Sequence, residues 1–251
     1  MNVIDITKKS EAENDKQKSM PTQYIGKKLL IIVEGKDDVN FIRHAIKDVF
    51  GNDNWLNASE MLEIGVLNGK DNLKEALRLL KLAPIAVKKK IEQVLIVLDA
   101  DRGCSDTIRG AERQITQAGF KSTLKAYAWS DLTGDNYNGS VSVAIIPPES
   151  DTGNLESMAL GMPRHPKLVE LASSVYQDAA TFHTDNGGGP LNDESKRKAR
   201  IYLNLFPADV QGVGRAFEKG AFQLAQDQIP KLIELLKQTP LGTLIEPKDA
   251  T

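Results

Sequence analysis

Two short apolar runs constrain this chain more than anything else in it. Leu29-Leu30-Ile31-Ile32-Val33 runs straight into Glu34-Gly35-Lys36-Asp37-Asp38, and Val94-Leu95-Ile96-Val97-Leu98 runs into Asp99-Ala100-Asp101-Arg102-Gly103. Both are short, β-branched-rich and unbroken rather than alternating, the pattern of a strand buried on both faces of a parallel sheet. A carboxylate has no place inside such a strand, so the acids belong where the strands emerge. In open α/β sheets that rim is where ligands bind. Neighbouring strands would set Glu34, Asp99 and Asp101 side by side there. Crowded carboxylates repel one another and retain protons unless something neutralises them. A hard divalent cation such as Mg²⁺ does so through oxygen ligands, and it keeps waters for substrate phosphates.

The remaining composition narrows the class without naming it. A chain of 251 residues, 41% hydrophobic and 26% charged, has enough apolar material for one large or two small domains. Its formal net charge of −2 excludes a generally basic nucleic-acid binder, although not a local basic patch. The single cysteine, Cys104, excludes an intramolecular disulfide framework. No stretch approaches the ~18 apolar residues of a membrane span, and the start lacks a signal-peptide core, which predicts a cytoplasmic protein with no membrane partner. There is no internal repeat and no zinc-ligand spacing.

Taken in order, the chain alternates strand and helix. Strands are predicted at 28–34, 61–67, 93–98 and 140–146, in one largely parallel sheet of an α/β fold. The polar stretch 8–22 makes 1–24 a flexible tail. Asp37 or Asp38 opens a helix through Phe50, whose positive N-terminus would face the acidic rim. Further helices are expected at 72–82, 107–118, 163–177, 194–205, 215–226 and 229–237. A strand at 123–129 followed by a turn-rich loop through Gly139, a solvated lysine run at 88–90 and a frayed end at 241–251 complete the reading.

At this point the residues carry a likeness. A strand ending in Glu34-Gly35 with Asp38 four residues past the Glu, and a later strand ending in Asp99-x-Asp101, resembles the TOPRIM domain. That domain is the catalytic module of topoisomerases, bacterial primases, ribonuclease M5 and the OLD-type nucleases. Residues 33–38 are most similar to the last two. Three further stretches resemble small stand-alone TOPRIM proteins allied to the OLD-type nucleases: Leu155-Glu156 opening a helix, Lys196-x-Lys198 followed by Tyr202-Leu203, and Gly214-Arg215-x-x-Glu218-Lys219-Gly220.

The resemblance implies a TOPRIM-like (Rossmann-like) core over 25–160 and a helical extension over 161–240 packed on it. It implies Mg²⁺ or Mn²⁺ held by Glu34, Asp38, Asp99, Asp101 and Glu156, with Glu149 and Asp151 as nearby alternatives to Glu156. Lys196 or Lys198 would offset the negative charge of a phosphoryl transition state. The implied activity is metal-dependent hydrolysis of phosphodiester bonds in DNA or RNA, carried by Glu34, Asp99, Asp101, Lys196 and Lys198, within a phage-defence or nucleic-acid-processing complex. A non-catalytic subunit binding nucleic acid or nucleotide, and a nucleotidyl transferase, remain open alternatives. Gly103 stands where many TOPRIM domains carry a third aspartate. The chain has no zinc ribbon, no active-site tyrosine motif and no Walker P-loop, so any ATP requirement would fall to a separate ATPase subunit.

Overall fold

The computed structural model describes residues 2–6, 24–148 and 150–245. Among them are six strands and ten α-helices. The strands are β1 (Asn2–Asp5), β2 (Leu29–Val33), β3 (Leu62–Val66), β4 (Gln93–Asp99), β5 (Ser130–Gly134) and β6 (Tyr137–Ile146). They form one sheet in the order β1-β3-β2-β4-β6-β5, parallel throughout except for the β5–β6 pair. Every residue of β2 is buried. Leu29, Ile31 and Val33 join the core on one face and Leu30 and Ile32 the core on the other, the period-2 alternation of a strand covered on both sides.

The helices are α1 (Lys36–Phe50), α2 (Trp55–Met61), α3 (Leu73–Leu82), α4 (Ile85–Lys88), α5 (Cys104–Gln117), α6 (Leu155–Leu160), α7 (Pro166–Asp185), α8 (Glu194–Leu205), α9 (Val213–Glu218) and α10 (Pro230–Lys237). Residues of α3 and α5 cover one face, and residues of α1 and of α6 through α10 share the other. The C-terminal helices therefore complete the core rather than standing apart from it. The chain passes from β2 out to β3, then back across β2 to β4. The winding reverses between β2 and β4, and such a switch point opens a crevice at the carboxyl ends of the two strands.

Several expectations are corrected. Asn2–Asp5 lies within the stretch 1–24 expected as a tail, yet it pairs with β3, because Ile4 and Ile6 bury against the sheet edge. Residues 7–23, which hold the polar stretch, lie outside the described residues, as do 246–251. The end is not frayed from 241: Leu241 is fully buried in a short helix, Pro240–Leu244. Residues 123–129 make only isolated bridges, Lys125 to Ala128 and Ala126 to Val143. The expected loop after them is instead a β5–β6 hairpin, turning at Asp135-Asn136 with Asn136 in the left-handed region. Lys88 is not solvated; its ammonium donates to the Lys81 and Asp135 carbonyls at 3.0 and 3.4 Å. α7 continues to Asp185, and α9 stops at Glu218. No helix among the described residues is long and apolar enough to cross a membrane.

Candidate functional site

Register fixes the first two acids. Val33 of β2 pairs with Val97 of β4, so Glu34 leaves one strand beside the point where Asp99 ends the other. Glu34 is half-buried, and its Oε2 atom is buried without a hydrogen-bond partner. Burial raises its pKa, the Asp101 charge raises it further, and Lys70 and Lys196 oppose the rise.

Asp38 comes from the first turn of α1. Gly35 caps that helix with extended backbone, and its N–H donates to Asp38 Oδ2 at 2.7 Å. This local bond folds the carboxylate back over the turn, where it is buried. Its pKa is pushed up to about 7, by burial first and then by Glu34, Glu156 and Asp37; the Gly35 bond works against the rise.

Asp99 links the strand ends to the third element. Its Oδ1 accepts the Leu155 N–H at 3.0 Å, so it caps the first turn of α6 and draws Glu156 to the rim. α6 is also held by its own capping box: Asn154 accepts from the Ser157 N–H, and Ser157 Oγ accepts from the Asn154 N–H. Burial, then the charges of Asp38, Glu34 and Glu156, push Asp99 up to about 8; the Leu155 bond lowers it. The Glu156 carboxyl is raised mainly by burial, and Lys196 of α8 opposes this.

Of the residues the sequence singled out, Glu34, Asp38, Asp99, Glu156 and Lys196 interact as one group. Asp101 reaches the same rim by a different route. It adopts left-handed backbone, bridges antiparallel to Gly153 and forms an ion pair with Lys70. Lys198 does not join the group. Its ammonium lies 2.6 Å from Glu194 and 5.5 Å from the centre of the Tyr176 ring. The rival Asp151 sits beside Cys104, accepting that residue's N–H on its carbonyl at 2.8 Å, and Glu149 lies outside the described residues.

Two features escaped the sequence reading. Lys70, which carries no mark in the sequence, is ion-paired with Asp101 and also acts on Glu34. Gly212 and Gly214 bring the start of α9 against the first turn of α1; a Cβ on Gly214 would collide with the Asp37 carbonyl oxygen, and the Gly214 N–H donates to Asp37 Oδ1 at 3.2 Å. The only sequence signal for this was the Gly-x-Gly spacing. A cavity of about 390 Å³ opens beside that contact, lined by Asp37, Glu156, Lys196 and Arg200 among others. A larger one of about 960 Å³ opens on the Lys70 and Asp101 side, along α5.

Among the described residues no three His, Cys, Asp or Glu side chains are already arranged as a metal cage. The donor chemistry nonetheless fits a hard divalent cation. All the clustered donors are carboxylate oxygens, one of them buried and unpartnered, and they raise one another's proton affinity. A cation bound among them would relieve both conditions. The acids are thus close enough to repel, Asp101 included, although Lys70 is ion-paired with Asp101.

No curated protein and no solved structure matches the chain. Residues 28–240 match a family described as "Protein of unknown function (DUF3226)". That span contains every site residue described above and most of the chain, which therefore belongs to the DUF3226 family.

Proposed function

We propose that this protein is a TOPRIM-like, divalent-metal-dependent nuclease that hydrolyses phosphodiester bonds in DNA or RNA. The reading rests on one observation: Glu34, Asp38, Asp99 and Glu156 crowd the switch point of a parallel sheet with Lys196 opposed to them. Glu34, Asp99 and Glu156 would hold Mg²⁺ or Mn²⁺, with Asp101 joining once it parts from Lys70. When bound, the cation supplies Lewis acidity to a phosphate oxygen. Asp38, tied to the Gly35 N–H, holds the approach of the first strand end rather than serving as a free ligand. Lys196 is exposed and faces the carboxylates, so it can bind a phosphate oxygen and offset charge gained in the transition state. Lys70, released from Asp101, can do the same from the opposite side.

One observation favours a second reading, a binding subunit without catalysis: Asp101 is already neutralised by Lys70, which removes a ligand the resemblance implies. Cleavage of labelled single- and double-stranded DNA and RNA, with Mg²⁺, Mn²⁺ or EDTA, separates the readings. Products that need metal and vanish in Asp99→Asn support the nuclease. Metal-dependent binding without products assigns the binding subunit, and incorporation of added nucleotides assigns a transferase.

A further inference from the structure

We infer that the cavity between α8 and α9 seats one nucleotide of the substrate, its phosphate on Lys196 and Arg200 and its base against Leu203, Val210 and Val213, so that the substrate is single-stranded there. The inference deepens the nuclease reading and rests on it for the place of the reacting phosphate. The cavity holds about 390 Å³, near the lower end of the roughly 300–1,000 Å³ of small-ligand sites. That is room for one nucleotide and not for a duplex. Its walls come from α1, α6, α8, the turn before α9 and α9 itself. Leu203, Val210 and Val213 are buried and give it an apolar floor. Asn204 and Gln211 are exposed at its edge, and each amide offers both donors and an acceptor. An apolar floor with a few polar groups around it suits a flat heterocyclic ring.

The charged groups of the lining balance, Lys196 and Arg200 against Asp37 and Glu156, so their placement rather than their sum selects the ligand. Lys196 and Arg200 are four residues apart and share one face of α8. Arg200 makes no ion pair among the described residues. Asp37 is held by backbone instead of by a cation, accepting the Gly214 N–H at 3.2 Å. Glu156 belongs to the acidic rim, and Lys196 both acts on that rim and lines the cavity. Lys196 therefore joins the reacting phosphate to the nucleotide beside it. A free inorganic anion would use the cations and leave the floor bare, and an apolar ligand would leave Arg200 unanswered. A nucleotide answers both, and its ribose hydroxyls can donate to the carboxylates. The base reaches the floor only by leaving its stack. In a duplex it must also give up its pairing partner, whereas in a single strand it is free to turn.

Calorimetric titration of the full chain with adenosine 5′-monophosphate, adenosine or inorganic phosphate, with Mg²⁺ and with EDTA, tests this. The monophosphate should bind about tenfold more tightly than either of its pieces, the effect of a charge-assisted hydrogen bond. Arg200→Glu should weaken it by at least about the same factor. Asn204→Trp, a bulky side chain at an exposed position of the cavity wall, should abolish binding. Both variants should keep the wild-type far-ultraviolet circular dichroism spectrum. Unlabelled single strand should displace a bound labelled single strand at lower concentration than duplex of the same sequence does. Monophosphate that binds under neither condition, that ignores both variants or that phosphate alone equals overturns the cavity as a nucleotide site. A duplex that competes as well as the single strand overturns the substrate class. The two readings fail separately. Nucleotide binding without metal-dependent products removes the nuclease and leaves the cavity its ligand, whereas products without nucleotide binding do the reverse.

Discussion

Lys196 and Lys198 stand two residues apart on α8, about 200° around the helix, and meet different chemistry. Lys196 acts on Glu34 and Glu156 across the rim, whereas Lys198 is held by Glu194 and the Tyr176 ring. Lys196→Ala should lower the rate of metal-dependent cleavage by about 100-fold, the effect of removing one preorganised charge from a transition state. Lys198→Ala should leave that rate unchanged and cost under about 1 kcal/mol of stability, as exposed pairs do. Turnover and thermal melts of both variants decide the matter, and equal rate losses would place both lysines at the rim. Lys70 poses a sharper question because its charge competes with any cation for Asp101. Lys70→Ala should therefore tighten Mg²⁺ binding severalfold in a calorimetric titration. Weaker binding would mean that Lys70 helps to build the site.

At the scale of elements, the sequence announces whatever is buried on both faces. β2 and β4 are legible because nearly every side chain in them is apolar, and α1 because its buried positions recur at helical spacing. β5 is not, since it is an edge strand with only Leu132 buried and so carries no alternation to read. The candidate site divides in the same way. Glu34 and Asp99 follow from strand register, a property of the runs themselves. The position of Glu156 depends on a hydrogen bond from Leu155 to Asp99, and that of Lys70 on a pairing across the rim; no local pattern encodes either. The contact of α9 with α1 is likewise non-local, and it can be tested at Gly214. Adding a methyl group there forces α9 off the turn that carries Asp37 and Asp38, an overpacking that costs about 1–3 kcal/mol. Gly214→Ala should lower the melting temperature and weaken Mg²⁺ binding together. An unchanged melt would mean that the two helices do not touch there.

For the molecule as a whole, the clustered acids tie stability to pH and metal. Asp99 and Asp38 titrate near 8 and 7 in the folded chain, while an unfolded aspartate does so near 3.8. Between those limits the folded chain binds more protons than the unfolded one, so its stability falls as pH rises. The contribution of each group is fully present below about pH 4 and lost by the time pH passes its folded value. The slope is about 1.4 kcal/mol per pH unit for a fully retained proton. Metal-free wild type should therefore melt lower at pH 8 than at pH 5, and Asp99→Asn, which cannot ionise, should flatten that decline. A cation binds the ionised carboxylates, so its effect has the opposite sign and grows with pH. At a free concentration about a hundredfold above its dissociation constant, Mg²⁺ should stabilise wild type by about 2.7 kcal/mol. Asp99→Asn should gain much less. Melting both proteins across pH and Mg²⁺ at fixed ionic strength separates the two effects. A decline with pH that Mg²⁺ does not reverse would leave an acidic rim without a metal, and equal Mg²⁺ shifts in the two proteins would put the cation elsewhere.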